Sequence, residues 1–276
     1  MESSLVHVGW VRLTLRLRAG LLGVAVLCAL AACSSGRASE ERELIVFAAS
    51  SLRDVFTSLG EAWKAEHPEV PLVLSFAGTQ ELRTQLEHGA PADVFAAADE
   101  LHMDALTQSG RVRAPSVFAR NEPVIVVSDE ARGTLRSLQD LPRTSRLVVG
   151  AAEVPIGRYT LQILNHASGP LGAGFRAEVE RRVVSRELNV RQVLNKVKLG
   201  EAEAGVVYRS DAHTAPELSV VEIPSELNVI AQYPIAVVAD AKHPQHARAW
   251  VELVGSERGR RALERAGFLL PEAGTP

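Results

Sequence analysis

Residues 44–54 read LIVFAASSLRD, an apolar run followed by two serines and then charged residues. A continuous apolar run of six residues is typical of a strand that is buried on both faces of a parallel sheet. Ser51 and Asp54 form an S-x-x-D pattern, which is typical of the start of a helix. This stretch therefore predicts a strand that leads directly into a helix, the first half of a βαβ unit.

The same alternation of apolar runs and helix starts continues along the chain. Pro68 and Gly200 mark the ends of two of the predicted helices. Further strands are predicted at residues 72–76, 93–98, 123–127, 147–150, 204–208 and 229–238. The pattern predicts an α/β fold in which mostly parallel sheets are flanked by helices.

The composition excludes several classes of protein. The chain has 276 residues, of which 46% are hydrophobic and 23% are charged, as in ordinary globular proteins. The formal charge of −3 and a pI near 6.3 provide no basic field for nucleic acid, so we expect no nucleic-acid partner. The two cysteines, Cys28 and Cys33, are too few and too close to the start for a disulfide framework or a zinc cluster.

The first 32 residues have the pattern of a signal peptide. Three arginines precede the apolar run at residues 19–30, and small residues follow it. The run is shorter than the roughly 20 apolar residues that cross a bilayer. The LAAC sequence ending at Cys33 resembles the lipobox of bacterial lipoproteins, which predicts a lipid anchor on Cys33 and a tether over residues 33–42. The alternative is an ordinary signal peptide that is cut after an alanine.

Removal of residues 1–32 takes away three Arg and one Glu and leaves a formal charge of −5. We therefore expect an exported, acidic protein in the periplasm or cell envelope.

Common catalytic and cofactor motifs are absent from the sequence. We find no G-x-S-x-G, H-E-x-x-H, Walker-type phosphate loop or C-x-x-C pattern. The histidines lack the spacing of metal ligands, and we expect them on the solvated surface. We therefore expect no metal-cation site and no cofactor. The eight histidines are His7, His67, His88, His102, His166, His213, His243 and His246.

Four predicted helices begin in a similar way, at residues 50–51, 78–79, 155–157 and 189–190. Helix N-termini carry free N–H groups and the positive end of the helix dipole, so several of them together can bind an anion without a cationic side chain. Ser51, Thr79 and Tyr208 add hydroxyl donors. The alternative is that Ser51, Thr79 and Asn189 only cap their helices. The residues alone therefore indicate a plausible oxyanion pocket.

Five segments of the chain resemble the periplasmic molybdate-binding proteins of ABC importers. The likeness extends over residues 43–271. The segments are VFAASSL at 46–52, FAGT at 76–79, GAPADVFAAAD at 89–99, VPIGRY at 154–159 and GVVYRSDA at 205–212.

This resemblance implies a type II periplasmic-binding-protein fold, in which two α/β lobes are joined by two crossing strands. We expect lobe I to comprise residues 43–122 and 231–271, lobe II residues 123–230, and a tail residues 272–276. The crossings are expected near residues 121–123 and 228–232.

The resemblance also implies a ligand set for tetrahedral molybdate or tungstate. The set comprises the hydroxyl and amide of Ser51 and of Thr79, the amides of Ile156 and Val190, and the Tyr208 hydroxyl. Ser50 is a further candidate ligand. The family has serine at the position of Thr79, and threonine keeps the hydroxyl donor. The implied partners are the permease and ATPase subunits of the importer, to which molybdate is delivered as cargo without catalysis.

Neutral donors would select for oxyanions that carry no proton. Molybdate needs only donors, whereas phosphate carries a proton that needs an acceptor. Sulfate has the same charge as molybdate, so its rejection would depend on its smaller size. Two alternatives stay open, namely a binding protein for sulfate or thiosulfate and an exported hydrolase that uses Ser51 or Tyr208. The hydrolase would need a base, and the nearest histidine in sequence, His67, is predicted in a loop.

Overall fold

A computed structural model describes residues 43–272. The predicted signal peptide, the tether, Cys33 and nearly all of the predicted tail lie outside these residues. The helices are α1 (Arg53–Glu66), α2 (Thr79–Glu87), α3 (Glu100–Gln108), α4 (Pro155–Ala167), α5 (Phe175–Glu180), α6 (Val190–Lys198), α7 (Arg209–His213), α8 (Pro244–Gly255) and α9 (Glu257–Arg265). Short 3-10 turns span Ser50–Leu52, Asp129–Ala131 and Leu138–Arg143.

Two five-stranded sheets form the framework of the described chain. The first contains β1 (Leu44–Ala49), β2 (Leu72–Ala77), β3 (Val94–Ala96), β4 (Val112–Asn121) and β10 (Ala231–Val238), in the order β2-β1-β3-β10-β4. The second contains β5 (Pro123–Val127), β6 (Leu147–Gly150), β7 (Val183–Glu187), β8 (Ala204–Tyr208) and β9 (Ser219–Val221), in the order β7-β6-β8-β5-β9. We call the lobe built on the first sheet lobe I and the lobe built on the second sheet lobe II.

Each sheet combines parallel and antiparallel pairs in the same arrangement. β1 pairs in parallel with β2 and β3, and β6 pairs in parallel with β7 and β8. In the first sheet β10 runs antiparallel to β3 and β4, and in the second β5 runs antiparallel to β8 and β9. The predicted two-lobed α/β fold is thus confirmed, and the sheets are mixed because β5 and β10, the strands that follow the two lobe crossings, run against the other strands of their sheets.

The chain crosses between the sheets in two places. Only Glu122 separates the end of β4 from the start of β5, so the first crossing is short. The chain returns to the first sheet between β9 and β10. The second connection, residues 222–230, is longer than the first.

The sequence pattern did not predict three of the strands, β4, β7 and β9. Each of them lies at an edge of its sheet. Edge strands expose one backbone side to solvent and often carry charged residues or proline, which interrupt the apolar run. In β4 this role is taken by Arg113 and Pro115, and Ala114 between them has a positive φ of 46°.

A hydrophobic cluster continues through both lobes and holds the helices against the sheets. In lobe I, Trp63 on α1 and Trp250 on α8 are fully buried, with ring centroids 5.9 Å apart in an edge-to-face arrangement. Such aromatic pairs add stability beyond their buried area. Within residues 43–272, none of the helices has the length and apolar character needed to span a membrane.

Candidate functional site

A small pocket lies where the parallel strands of both sheets end. In open α/β sheets, the carboxyl ends of the strands and the following helix N-termini form the usual ligand crevice. Here both lobes contribute such an edge, and the six residues proposed from the sequence as ligands all line the same pocket. The lining residues are Ala49, Ser50, Ser51, Ala77, Gly78, Thr79, Ala98, Val154, Pro155, Ile156, Asn189, Val190 and Tyr208.

The pocket is too small for an ordinary organic ligand. Its cavity volume is about 10 Å³, whereas pockets for drug-sized molecules hold roughly 300–1,000 Å³. Its size therefore favours an inorganic ion of a few atoms.

In lobe I, Ser51 and Thr79 face the pocket from two successive strand–helix connections. Ser51 lies in the 3-10 turn after β1, and its hydroxyl is 3.0 Å from the Tyr233 hydroxyl instead of capping α1. Thr79 is the first residue of α2, which is capped by Gly78, and Thr79 Oγ1 accepts a hydrogen bond of 3.1 Å from the Ala98 amide. The capping interpretation is therefore wrong for both hydroxyl residues.

In lobe II, the pocket receives two helix N-termini. Pro155 is the first residue of α4 and has no N–H, so the Ile156 amide is the first of that helix. Asn189 caps α6, because its side chain accepts from the Gln192 amide at 3.1 Å. Here the capping interpretation is confirmed, and the Val190 amide that follows the cap has no acceptor within the helix.

The position of the Ile156 amide depends on how closely the start of α4 packs against the end of β6. A Cβ on Gly157 would lie 1.9 Å from the Ala151 carbonyl oxygen, so only glycine lets α4 pack this tightly against the end of β6. This close approach holds the first turn of α4 at the end of β6, so that Pro155 and Ile156 line the pocket.

Tyr208 is a buried donor without a partner. It ends β8 with only 1% of its surface exposed, and its hydroxyl lacks a hydrogen-bond partner within the described residues. Burial raises the pKa of Tyr208 well above its ordinary value, so the hydroxyl keeps its proton. An unpaired buried polar group costs free energy unless a ligand satisfies it.

The pocket lining carries no charged side chain. Asp, Glu, Lys, Arg and His are all absent from the lining residues that the structure describes. Within residues 43–272, no group of three or more His, Cys, Asp or Glu is arranged to hold a metal ion. The donors available to a ligand are therefore hydroxyls and backbone amides at helix N-termini, which suit an anion.

Charged residues lie instead around the rim, where they pair across the two lobes. Arg158 of α4 forms an ion pair with Asp99, which is fully buried and also caps α3. Arg191 of α6 pairs with Asp54 of α1, and its Nε lies 2.6 Å from Asp211 Oδ1 within lobe II. These pairs connect lobe I to lobe II next to the pocket without entering it.

Two further polar contacts connect lobe I with lobe II near the pocket. Gln80 Nε2 donates to the Leu188 carbonyl oxygen at 2.7 Å. His102 Nε2 lies 3.2 Å from the Glu153 carbonyl oxygen, and burial lowers the pKa of His102, which favours the neutral ring. The expectation that every histidine lies on the solvated surface is wrong for His102, because this contact and the α3 packing bury it.

The sequence did not predict the two residues that hydrogen-bond to the pocket hydroxyls, namely Tyr233 for Ser51 and Ala98 for Thr79. Tyr233 stands in the apolar stretch of β10 and is fully buried. A tyrosine inside an apolar strand needs a hydrogen-bond partner, which was the available signal. The Ala98 amide gave no signal, because a backbone donor has no mark in the sequence.

Comparisons with known proteins agree with this architecture. Residues 44–269 match the family model of the bacterial extracellular solute-binding proteins. The molybdate-binding protein ModA of Mycobacterium tuberculosis is 39% identical over 266 residues, which cover 92% of this chain and 98% of that protein. The ModA protein of Escherichia coli is 30% identical over 242 residues, with coverages of 84% and 91%.

A solved structure shares the fold. The periplasmic molybdate-binding protein of Azotobacter vinelandii superposes with a TM-score of 0.73 at 18% sequence identity, covering 83% of this chain and 100% of that one. With the two-sheet architecture, the interlobe pocket and the match over residues 44–269 in place, the chain belongs to the bacterial extracellular solute-binding protein family.

Proposed function

We propose that the protein captures molybdate, or the similar tungstate, outside the cytoplasm and delivers it to the permease and ATPase of an ABC importer. The observation that carries this proposal is the buried, unpartnered Tyr208 hydroxyl in a small pocket of uncharged donors. The relatives from two bacterial species, which are molybdate-binding proteins, support the same ligand.

The proposed ligands come from both lobes. Ser51 and Thr79 would each donate a hydroxyl and an amide, Ile156 and Val190 would donate amides, and Tyr208 would donate its hydroxyl. Ser50 is a further candidate, since it also lines the pocket. Donors from two lobes would bind the ion best when the lobes are closed, which couples ligand capture to a conformation that the importer can recognise.

The chemistry of the pocket supports selection against phosphate. A hydrogen phosphate ion carries a proton, and a lining without carboxylates leaves that proton without a strong acceptor. Sulfate or thiosulfate is the alternative ligand, because sulfate has the same charge and needs the same donors. Its smaller size would then be the basis of discrimination, in a pocket whose width is fixed by closure.

We further propose that the protein has no catalytic activity. A hydrolase that used Ser51 or Tyr208 would need a general base within hydrogen-bond reach. The described lining offers no histidine or carboxylate for this role. His67 ends α1 and stacks on Trp63, with ring centroids 4.1 Å apart.

We also propose a division into two lobes and a lipid anchor on the membrane. We propose residues 43–122 and 231–271 as one lobe and residues 123–230 as the other, which is consistent with the strands of the two sheets. We propose that residues 1–32 are removed and that Cys33 then carries a lipid. Labelling with radioactive palmitate tests the anchor, since a Cys33→Ala variant that still takes up label would contradict it.

Calorimetric titration with a panel of oxyanions tests the ligand. Molybdate is expected to bind and to raise the melting temperature, with a stabilisation of about 2.7 kcal/mol at a concentration of 100 times Kd. Sulfate and phosphate are expected to give much smaller shifts. An equal shift with sulfate would favour the alternative function, and no shift with any oxyanion would contradict both.

A further inference from the structure

The hydroxyl oxygens of Ser51 and Thr79 line the pocket, and each of them also hydrogen-bonds to another group of the protein. For Thr79 the direction of that hydrogen bond is certain. The Ala98 amide can only donate, so Thr79 Oγ1 is the acceptor at 3.1 Å. One lone pair of Thr79 is thereby engaged, and its proton stays available to the pocket.

For Ser51 the distance alone leaves the direction open, because either hydroxyl of the 3.0 Å pair with Tyr233 could donate. The surroundings of the Tyr233 hydroxyl decide it. Asn121, at the end of β4, hydrogen-bonds with other groups: the Glu122 amide donates to Asn121 Oδ1 at 3.0 Å, and Asn121 Nδ2 donates to Ser210 Oγ at 2.7 Å.

The Tyr233 hydroxyl needs an acceptor for its proton. Tyr233 is fully buried, and burial raises its pKa well above the ordinary value, so the proton is present. Within residues 43–272, the acceptor that the structure offers is Ser51 Oγ. The opposite direction would leave the Tyr233 proton buried without an acceptor, at the cost of an unsatisfied donor, whereas the Ser51 proton can be accepted by a ligand in the pocket.

We propose that Tyr233 is a positioning residue that makes Ser51 a hydrogen-bond donor to the pocket, and that Tyr233 and Ser51 thereby determine specificity for oxyanions without a proton. The hydrogen bonds run in one direction, from Tyr233 through Ser51 to the ligand. The inference rests on the proposed function, since it deepens the ligand specificity of the same pocket.

The consequence is a difference between oxyanions of equal charge. At about pH 8, molybdate, sulfate and hydrogen phosphate are all dianions, but only hydrogen phosphate carries a proton. With one lone pair of the Ser51 hydroxyl and one of the Thr79 hydroxyl engaged by the protein, these two groups are less able to accept the proton of hydrogen phosphate. A change in the Tyr233 side chain should therefore alter the ratio of molybdate to phosphate affinity more than the ratio of molybdate to sulfate affinity.

Titration of Tyr233→Phe with molybdate, sulfate and inorganic phosphate tests the inference. Loss of the phenol proton frees the Ser51 lone pair to accept from hydrogen phosphate. We expect the molybdate-to-phosphate ratio of association constants to fall at least tenfold, while molybdate and sulfate change in parallel. Tyr159→Phe is the matched control, because Tyr159 lies with its ring centroid 6.5 Å from that of Tyr208 but does not line the pocket; it should leave the ratio unchanged.

Tyr233→Phe in a Ser51→Ala background gives a sharper test. Without the Ser51 hydroxyl, Tyr233 has no oxygen through which to act on the ligand. We therefore expect the added Tyr233→Phe substitution to leave the molybdate-to-phosphate ratio of Ser51→Ala unchanged.

The outcomes separate this inference from the proposed function. If the unaltered protein fails to bind molybdate, the proposed function is wrong. If it binds molybdate and Tyr233→Phe weakens all three anions by one factor, or changes none, Tyr233 has only a structural role and the inference is overturned. Circular dichroism of the ligand-free variants checks that they fold, and Tyr233→Phe is expected to do so because it removes one oxygen and leaves the buried ring in place.

Discussion

The pocket and the rim around it differ in one respect, which is where the charge lies. The pocket lining is uncharged, and its polar groups are hydroxyls and amides at helix N-termini. One to three residues away along the chain, the rim carries Arg158 paired with Asp99 and Arg191 paired with Asp54. Both pairs connect lobe I with lobe II.

This difference assigns separate tasks to neutral and charged groups. Charges that pair across the lobes favour the closed arrangement and cancel much of each other's field inside the pocket. Neutral dipoles then bind the ion with moderate strength and with directional selectivity, as release to a transporter requires. A cation inside the pocket would attract every anion of the same charge and weaken that selectivity.

Of the changes proposed here, a negative charge placed inside the pocket should lower the affinity for molybdate the most. Thr79→Asp puts a carboxylate at the first position of α2, where the helix dipole favours it and the fold should tolerate it. Two unit charges about 4 Å apart at an effective dielectric near 20 repel by about 4 kcal/mol, so molybdate affinity should fall by roughly a thousandfold or more. Calorimetric titration measures the loss.

Thr79→Asn and Thr79→Ser are the controls for this substitution. Asparagine matches the size of aspartate without the charge, and serine keeps the hydroxyl donor. We expect a moderate loss for Asn and a mild one for Ser. A Thr79→Asp protein that bound molybdate within tenfold of the unaltered protein would show that the ligand does not occupy this pocket.

Preventing lobe closure should have the next largest effect. A Cβ on Gly78 of lobe I would lie 2.4 Å from the Leu188 carbonyl oxygen of lobe II. Gly78→Ala should therefore hold the lobes apart and cost about 1–3 kcal/mol of binding free energy, the usual range for overpacking. Small-angle scattering with saturating molybdate should show a less compact protein than the unaltered chain.

Gly133→Ala is the matched control for Gly78→Ala, because nothing lies within 4 Å of a Cβ at that position. It should leave affinity and compactness unchanged. If Gly78→Ala bound molybdate normally, the lobes would not need to approach as closely as they do here.

Removing one neutral donor should lower the affinity for molybdate by less, and it should not lower the stability of the ligand-free protein. Tyr208→Phe loses a hydrogen bond to a charged ligand, worth about 1.5–3 kcal/mol, so molybdate affinity should fall by about one to two orders of magnitude. The ligand-free protein should be equally or more stable, since the lost hydroxyl has no partner in the described residues. Calorimetry and thermal unfolding without ligand measure the two effects separately.

A loss of stability in ligand-free Tyr208→Phe would contradict this account, because it would mean that the hydroxyl is already satisfied. Tyr159→Phe serves again as the control, since the same atom is removed beside the pocket and not within it. It should change molybdate affinity little.

The sequence predicted the centre of the fold better than its edges. The runs that became β1, β6 and β8 are almost wholly apolar, because strands inside a sheet are covered on both faces. The edge strands β4 and β7 were missed, since solvent tolerates the charged residues and the proline that interrupt their pattern, and β9 was missed because three residues are too few to form a pattern.

Local sequence signals also decided which residues of the pocket could be predicted. Ser51, Thr79 and Tyr208 stand at strand ends or helix starts, where local sequence signals exist, and they line one pocket. The groups that act on them do not have such signals. Ala98 contributes through its backbone, and Tyr233 acts through a contact between residues far apart in the chain, which no local pattern encodes.

The smallest expected effect is at the exposed end of the rim. The Asp54 side chain is 54% exposed where it pairs with Arg191, and exposed ion pairs are worth at most about 1 kcal/mol. Asp54→Asn should therefore weaken molybdate binding by a few-fold at most, through a less favourable closed arrangement. Arg191 keeps its contact with Asp211 in this variant, so its charge stays compensated.

Salt dependence then distinguishes the rim from the pocket. Salt at about 1 M shortens the screening length to about 3 Å, so the difference between Asp54→Asn and the unaltered protein should disappear there. The deficit of Tyr208→Phe should persist, because a buried hydrogen bond is screened much less. Asp129→Asn is the control, since it removes the same charge from an exposed pair within lobe II and should not affect closure. If the Asp54→Asn deficit persisted at high salt, or if Asp129→Asn reproduced it, the rim pair would act on the ligand through the overall charge of the protein and not by holding the lobes together.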